Sequence, residues 1–531
     1  MFKKLWMVVS VFSVFMVMTG CEETEDKPAE SKPETQSVSF EDLSDEYDVE
    51  DSELDLHYNE DGIPYVDIEA FIDLLDGAIM TEEIETDHED GIFHMTYTLE
   101  AGESEEDIYE DTTLEFELDV EENTVTVNRL AFFNGMSEET KTDYGEHLEV
   151  ADYEESVEDP LTIDLSDYGI RAWEEDGDIR LPFNIANLFL SGSMYDVYYN
   201  GETLYGIDTY QLMDDSELGD RLNDSDLNDE DIPDPIKDHT LDYLALSFDY
   251  FYGLKAMNDV ETYYDELSDF EDDLDGSDTD HYRAIFDYAF AHDDIHTSPV
   301  VSGYYEDNLS FQASLDDLGT RTSTYYEAYY DETLSAHCES GGEVVYNEDG
   351  SKAMFKVDSF DEDTLDDFDD TMQSIDDEGG VEDVVIDLSC NGGGVIGTMI
   401  QMLGYMSDDP IDFHSKNVTD GSTSKTTYDV DIEARDYDFH LVTSPLTFSA
   451  ANSMVSIAKE NDLASIVGQP SSGGASSVMT NITPSGSILV MSSPEVMTDS
   501  NFDSIENGIA PDVEIDLQDI PDSDEIFDAL P

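Results

Sequence analysis

The stretch VVIDLSCNGGGVIG, residues 384–397, decides the fold. Its first five residues are typical of a buried strand, and three consecutive glycines (residues 392–394) follow shortly after. Glycines at a strand end allow the backbone to reach positive φ and to approach another part of the chain closely. The apolar residues that follow, VIGTMIQMLGYM, are spaced as in a helix. The stretch therefore predicts a strand, a turn in close contact with another segment, and a helix.

The same alternation of strand and helix extends on both sides of this stretch. Further strands are predicted for AMFKVDSF, FHLVTS, ASIVGQ and SILVMSS, and further helices for TLDDFDDTMQSI and SAANSMVSIAKEN. Such an alternation predicts an α/β layer structure, in which functional sites collect at the carboxyl ends of the strands.

The charge of the chain is strongly unbalanced. There are 133 Asp and Glu residues against 19 Lys and Arg, which gives a formal net charge of -114 over 531 residues. Nucleic acid would be repelled by this surface, so a nucleic-acid partner is excluded. The acidic residues are spread over every segment, and at ~1 M salt the Debye length falls to about 3 Å. The composition thus indicates a halophilic protein with an acidic surface.

The N-terminus has the features of a secretory signal. Lys3 and Lys4 precede a short apolar run, which ends in MTGC. Because MTGC resembles a bacterial lipobox, we expect a signal peptide over residues 1–20, lipidation at Cys21 and a lipid-anchored acidic linker over residues 21–48. The protein would then be attached to the cell membrane on its extracellular side, and an uncleaved anchor is the alternative. Whether the two remaining cysteines, Cys338 and Cys390, form a disulfide is left open.

The pattern of apolar residues and prolines divides the rest of the chain into three regions. Residues 49–235 are expected to form an α+β N-terminal accessory domain, since IPYVDIEAFIDLL and IRLPFNIANLFL each pass from a short strand into an apolar helix. An acidic segment with two prolines predicts a boundary near residue 235. A helical subdomain is expected over residues 236–335 and the α/β domain over residues 336–531.

Four segments follow one another in an order that resembles the C-terminal-processing peptidases. They are VVIDLSCNGGG, SPLTFSAANSM, SIVGQPSSGGA and IENGIAPDVEI. That family of serine peptidases includes the tail-specific proteases and the catalytic core of tricorn protease, and the resemblance covers residues 241–517. It implies a crotonase-like α/β peptidase domain that acts on proteins or peptides.

Ser449 is the predicted nucleophile. It lies between a strand with its turn and a helix, where a hydroxyl sits beside free backbone N–H groups and the positive end of the helix dipole. Acyl transfer needs such donors, because negative charge develops on the carbonyl oxygen. We expect an oxyanion hole formed by the glycine turn, Gly393 and Gly394, and by the N–H of Ala450. An N-cap role for Ser449 is the structural alternative.

The general base is predicted from the branch of the C-terminal-processing peptidases that the chain resembles. Gly474 occupies the position of the lysine in tail-specific proteases, and Lys459 would point elsewhere. The tricorn-like branch uses Ser, His and Glu, and HDDIHTSPV resembles its Asp-x-His-Thr signature. This nominates His296 as base and Glu506 as the group that orients it, with His292 as a competitor. The rate should fall as pH drops through the imidazole pKa, near ~6.5 if it is unperturbed.

The sequence thus predicts an extracellular, lipid-anchored serine endopeptidase with Ser449, His296 and Glu506 as catalytic residues. No metal and no cofactor are expected, because neither an HExxH helix nor paired Cys and His spacings are present. The alternative is a non-catalytic protein of the same fold that binds peptides or apolar ligands.

Overall fold

The computed structural model describes residues 35–99, 112–156, 159–192, 194–214, 216–228, 230–258, 260–306, 309–315 and 318–531. The predicted signal peptide, Cys21 and residues 21–34 of the predicted linker lie outside these ranges. Within them, no helix is long and apolar enough to cross a membrane.

The N-terminal half is built mainly from strands. They are β1 Thr35–Asp42, β2 Ser52–Tyr58, β3 Pro64–Asp67, β4 Ile84–Glu89, β5 Ile92–Leu99, β6 Thr112–Asp119, β7 Thr124–Val127, β8 Leu148–Glu155, β9 Leu161–Asp164, β10 Trp173–Glu175, β11 Asp178–Pro182, β12 Tyr195–Tyr199 and β13 Leu204–Asp208. A seven-stranded sheet has the order β10-β11-β3-β2-β1-β13-β12, and a five-stranded sheet has the order β4-β5-β6-β7-β9.

Strand β1 corrects the predicted boundary of the linker. Residues 35–42 fall within the predicted acidic linker, residues 21–48, but they pair with β2 and β13. The alternation in TQSVSFED places Val38 and Phe40 on the buried face, each 2% exposed. This period of two outweighs the polar composition, so β1 is part of the folded structure and not of a linker.

The C-terminal half contains β14 Ser298–Val301, β15 Val345–Tyr346, β16 Lys352–Lys356, β17 Asp383–Asp387, β18 Ile411–Asn417, β19 Thr423–Val430, β20 Asp438–Thr443, β21 Ala464–Gly468, β22 Ser476–Ile482, β23 Ile488–Met497 and β24 Val513–Glu514. One six-stranded sheet has the order β15-β16-β17-β20-β21-β24, and its neighbours from β16 to β24 run parallel. This is the predicted α/β sheet.

The helices of the chain surround these sheets. They are α1 Ile68–Leu74, α2 Phe183–Leu190, α3 Thr209–Asp214, α4 Ser216–Asn223, α5 Asp234–Phe251, α6 Lys255–Asn258, α7 Tyr263–Leu267, α8 Glu271–Leu274, α9 Asp278–Phe290, α10 Thr320–Tyr329, α11 Glu332–Cys338, α12 Thr364–Glu378, α13 Ile396–Leu403, α14 Ala450–Glu460 and α15 Ser523–Ala529. The predicted helices of the α/β domain correspond to α12, α13 and α14. The two predicted strand–helix units correspond to β3–α1 and β11–α2.

The expected domain boundaries do not separate independent cores. One hydrophobic cluster runs from Val38 to Tyr305 and includes Met479 to Met491 of the hairpin β22–β23. In addition, β8 of the accessory half pairs with β19, so that a second six-stranded sheet joins both halves. The acidic segment before residue 236 crosses the surface between α4 and α5 and is not a linker between two domains. The acidic composition of this segment reflects exposure to solvent. The pairing of β8 with β19 joins segments that are far apart in the sequence, so no local sequence pattern predicts it.

Candidate active site

Three loops meet at the carboxyl ends of the parallel strands β17, β20 and β21. The N–H of Phe448, in the loop after β20, donates to the carbonyl oxygen of Asn391, in the loop after β17, at 3.1 Å. The N–H of Ser449 donates to the carbonyl oxygen of Gly473, in the loop after β21, at 2.8 Å. These bonds hold the three loops together at the edge where α/β sheets carry their sites.

Ser449 occupies a strained turn directly before α14. Its backbone has φ 55° and ψ -126°, a conformation that favours glycine, and it is one of few non-glycine residues with positive φ. Its neighbours Phe448 and Ala450 are buried, at 5% and 1% exposure, whereas Ser449 is half-buried. Backbone strain at a partly exposed serine is typical of functional sites. The predicted position at the start of a helix is confirmed, and no N-cap hydrogen bond from its side chain is present.

The glycine turn lies against Ser449, as predicted. A Cβ at Gly393 would stand 2.6 Å from the Cβ of Ser449 and 3.1 Å from the nitrogen of Ala450. Gly393 and Gly394 have φ values of 109° and 133°, and a side chain at Gly394 would collide with the backbone of Phe360. The glycines are therefore required both by backbone conformation and by the close approach to the serine.

The N–H groups of the turn differ in availability, and this corrects one predicted residue of the oxyanion hole. The N–H of Gly393 donates to the Asn391 side-chain oxygen at 2.8 Å, so it is occupied within its own loop. No acceptor among the described residues takes the N–H of Gly394 or of Ala450. Among the described residues, Gly394 and Ala450 thus have N–H groups that no acceptor takes, while Gly393 provides the space for the close approach of Ser449.

His296 lies beside the predicted nucleophile. Its ring packs against the ring of Phe448, with 4.5 Å between the centroids. The residue is 9% exposed, and neither ring nitrogen has a hydrogen-bond partner among the described residues. The pKa of His296 is lowered to about 4, mainly by burial; Asp294 opposes this lowering, and Arg321 adds to it. The imidazole is therefore neutral at pH 7, as a general base must be.

The competitor His292 is placed elsewhere. Its ring is surrounded by four aromatic rings, those of Phe248, Tyr252, Tyr263 and Tyr288, at centroid distances of 4.7–5.5 Å. These residues belong to helices α5, α7 and α9 or follow α5 directly. His292 is thus part of the helical core, and His296 is the histidine that contacts the nucleophile loop.

The two lysine positions considered in the sequence are not available at the nucleophile loop. A side chain at Gly474 would collide with the ring of Phe448, so the lysine of the tail-specific branch has no room here. Lys459 donates to the carbonyl oxygen of Ala510 at 2.6 Å and pairs with Asp512 at 2.9 Å. Both partners lie away from the loops that meet at Ser449, which agrees with the prediction that Lys459 points elsewhere.

Glu506 does not contact His296 in the predicted way. One carboxylate oxygen accepts a hydrogen bond from the Arg321 guanidinium, and the other accepts from the N–H of Ala475 at 2.5 Å. Since both nitrogens of His296 lack a partner, the expected hydrogen bond between Glu506 and His296 is absent. Glu506 is 1% exposed, and burial raises its pKa; Arg321 opposes this rise, and Asp294 adds to it. Its carboxylate is fixed by a cation and a backbone donor instead of by the imidazole.

Two residues of this cluster were missed at the level of sequence. Asp294 is 1% exposed. Its carboxylate accepts hydrogen bonds from the backbone N–H of His296 at 3.0 Å and from the Thr297 hydroxyl at 2.6 Å. It is the first residue of the Asp-x-His-Thr signature, so the motif itself could have identified it. Arg321 lies in TRTSTYYEAYY, which carries no recognisable signal.

Two further features bear on the chemistry of the site. Among the described residues, no three His, Cys, Asp or Glu side chains lie close enough together to hold a metal ion. Cys338 and Cys390 form a disulfide, with 5.5 Å between their Cα atoms, and this settles the question left open by the sequence. The bridge links α11 to the residue directly before Asn391, and so to the loop that carries the glycine turn.

Comparison with known proteins identifies the C-terminal half. Residues 352–515 match the family model described as Peptidase family S41. This segment includes Ser449, Glu506 and the glycine turn, whereas His296 and Arg321 precede it. The predicted crotonase-like α/β peptidase fold with an accessory N-terminal domain is confirmed. Among curated protein sequences there is no significant match.

Several solved structures are similar at low identity. A candidate peptidase from Parabacteroides merdae shares 17% identity over 52% of this chain and 89% of its own, with a TM-score of 0.42. A lipoprotein from Streptococcus agalactiae shares 15% identity over 56% of this chain and 96% of its own, with a TM-score of 0.38. Tricorn protease shares 12% identity over 84% of this chain and 46% of its own, with a TM-score of 0.36.

Proposed function

Since residues 352–515 belong to peptidase family S41, a family of serine peptidases, we propose that Ser449 is the nucleophile of an endopeptidase. The observation that carries this assignment is the strained backbone of Ser449, which lies against the glycine turn, in a loop whose Phe448 contacts the His296 ring. His296 makes no hydrogen bond to Ser449 in this structure, so the proton transfer requires the imidazole to approach the hydroxyl when substrate binds. The substrates are proteins or peptides, and the reaction passes through an acyl-enzyme.

In the first half of the reaction the Ser449 hydroxyl attacks the scissile carbonyl carbon and its proton passes to His296. The carbonyl oxygen becomes negatively charged and is bound by the N–H groups of Ala450 and Gly394. The peptide C–N bond then breaks as His296 returns the proton to the leaving nitrogen. Water repeats the sequence, with His296 again accepting a proton, and releases the acyl group.

Asp294 favours this proton transfer. It is a buried carboxylate near His296, and it raises the pKa of the imidazole, which burial and Arg321 lower. The imidazolium is thus stabilised by Asp294 in a site of low dielectric constant. Glu506 binds Arg321 and the N–H of Ala475, and so connects the elements that surround the base.

Labelling with a fluorophosphonate probe tests the nucleophile. Because such a probe reacts with activated serine hydroxyls, wild-type protein should be labelled at one site and Ser449→Ala should not be labelled. Heat-denatured wild-type protein is the control for non-specific reaction. Labelling that persists in Ser449→Ala, or a wild-type protein that stays unlabelled, would contradict the assignment.

A non-catalytic binding protein is the second candidate, and one observation favours it. Tyr325 of α10 lies over the site, since its ring centroid is 5.8 Å from that of Phe448 and its hydroxyl would be 3.8 Å from a Cβ at Gly392. A site covered by an aromatic side chain in this way suits a retained peptide or apolar ligand. Peptide binding by a wild-type protein that neither reacts with the probe nor hydrolyses peptides would support this candidate.

We also propose that the protein is lipid-anchored through Cys21 on the extracellular side of the cell membrane. The motif MTGC supports attachment, and the Cys338–Cys390 disulfide supports an oxidising compartment. Two or more acyl chains hold a protein to a membrane much better than one. Mass spectrometry of the purified protein should find an acylated N-terminal Cys21; an intact Met1 or an unmodified Cys21 peptide would contradict this proposal.

The pH dependence of activity should reflect the burial of His296. Its pKa is lowered to about 4, so the base stays neutral until the pH approaches that value. We therefore expect the acid limb of kcat/KM well below the value of ~6.5 for an unperturbed imidazole. Initial rates between pH 4 and pH 8 in molar salt measure this limb, with recovery of activity on return to pH 8 as the control for unfolding. A reversible limb at pH 6.5 or above would show that burial does not depress this pKa.

The acidic surface leads to a prediction on salt. With a net charge of -114, repulsion between carboxylates destabilises the folded state at low ionic strength. The melting temperature is expected to rise steadily from low salt to ~1 M NaCl, where screening acts within about 3 Å. KCl should have the same effect at equal ionic strength, and sucrose should have much less. A melting temperature that is flat with salt would contradict the halophilic interpretation.

A further inference from the structure

Arg321 stands at the junction of two loops that belong to the site. It is the second residue of α10, and its N–H donates at 3.1 Å to the carboxylate of Asp293, in the loop that carries His296. The N–H of Thr322 donates to the other oxygen of Asp293 at 2.9 Å. A side chain at Gly319 would collide with this carboxylate, so a glycine is needed for α10 to approach it. The helix is therefore anchored to the loop of the base.

The side chain of Arg321 extends from this anchor to Glu506. It is the only cation in a salt bridge with Glu506 among the described residues, and the pair is largely shielded from water, with exposures of 20% and 1%. The groups that face Glu506 from the other elements are Asp294 and the Tyr252 hydroxyl. Neither of these two groups is positively charged, so neither can compensate the negative charge of Glu506. Without Arg321, Glu506 would be a buried carboxylate next to another carboxylate.

We propose that Arg321 is a positioning residue of the peptidase centre, which ties the His296 loop to Glu506 and keeps the Glu506 carboxylate ionised. The proposal rests on the proposed function for its effect on turnover. Through Glu506 the arginine connects α10 to the segment that carries this carboxylate, and through its backbone it fixes the loop that presents the ring. Among the described residues, Glu506 is the salt-bridge partner of Arg321, and the Nε atom of the arginine is buried without a partner.

The test compares Arg321→Gln with Arg321→Lys. The backbone N–H of residue 321 remains in both variants, so the contact with Asp293 is kept. In Arg321→Gln, Glu506 loses the cation that opposes the rise of its pKa and binds a proton more readily, and His296 loses a neighbouring cation that disfavours the imidazolium. We expect kcat at pH 7 to fall about 10²-fold, and the acid limb of kcat/KM to move upward by at least about one pH unit. Arg321→Lys retains the positive charge, so the acid limb of its kcat/KM should lie at the same pH as that of the wild-type protein.

A double variant separates positioning from folding. Arg321→Gln combined with Glu506→Gln leaves no unpaired charge, so it should fold, and its kcat should be scarcely lower than that of Glu506→Gln alone. An infrared band of a protonated carboxylic acid should appear in Arg321→Gln and be missing from the double variant. This band reads the ionisation of Glu506 whether or not the protein turns over substrate.

The outcomes are distinguishable. A wild-type protein without turnover contradicts the proposed function, but appearance of the infrared band in Arg321→Gln would still support the role of Arg321 in keeping Glu506 ionised. An unchanged acid limb together with no carboxylic acid band in Arg321→Gln would overturn the inference. Higher turnover in Arg321→Gln would also overturn it, since Arg321 would then hold Glu506 in an inactive arrangement.

Discussion

Replacing Ser449 by alanine is expected to lower the hydrolysis of peptides by about 10⁴-fold or more, because the attacking hydroxyl is removed. His296→Ala should have an effect of similar size, since the neutral imidazole that contacts the nucleophile loop is the proposed base. The variant with both changes should be scarcely worse than either, because members of one catalytic unit are not additive. The measurement is hydrolysis of a fluorogenic peptide library in molar salt.

Matched controls are available on the helix that follows the nucleophile. Ser453 lies one turn later on α14, and its hydroxyl donates to the sulfur of Met497, so Ser453→Ala should retain most of the activity. Lys459→Ala should hydrolyse peptides at nearly the wild-type rate. Full activity in His296→Ala together with loss in Lys459→Ala would overturn the assignment of the base.

The strain at Ser449 adds a second readout. Glycine accepts φ 55° and ψ -126° without penalty, so Ser449→Gly should be inactive and yet more stable than Ser449→Ala by about 1 kcal/mol or more. Urea unfolding of the two variants gives this difference. If their stabilities were equal, the backbone of Ser449 would not be strained.

Loss of the Cys338–Cys390 disulfide is expected to destabilise the protein by about 4 kcal/mol, because the bridge closes a loop with a sequence separation of 52. The change is Cys338→Ala combined with Cys390→Ala, and urea unfolding in molar salt measures it. We also expect a lower kcat, since Cys390 precedes Asn391, whose side chain binds the N–H of Gly393.

The salt bridge between His337 and Asp387 remains in this variant and should keep α11 docked at the end of β17. Reductant provides the control: it should destabilise the wild-type protein by a similar amount and leave the double variant unchanged. If reductant and the double substitution both left stability unaffected, the bridge would not constrain the chain.

The sequence by itself determined the local architecture of the site. The strand before the glycine turn, the helix after Ser449 and the two strand–helix units of the accessory half are encoded by apolar periodicity and glycine placement within short segments. The position of His296 followed from a short motif. These features depend on neighbours along the chain, so one sequence is sufficient to predict them.

The tertiary structure alone decided which groups meet. Arg321 and Glu506 are 185 residues apart, and β8 and β19 pair between the two halves of the chain. Such contacts produce no periodic pattern in the sequence of either segment, so the sequence does not predict them. Hydrogen bonding within the glycine turn likewise decided that the N–H of Gly393 is occupied while that of Gly394 is free. The sequence could place the glycines beside the serine, but the direction of each N–H depends on backbone angles that the packed loops impose.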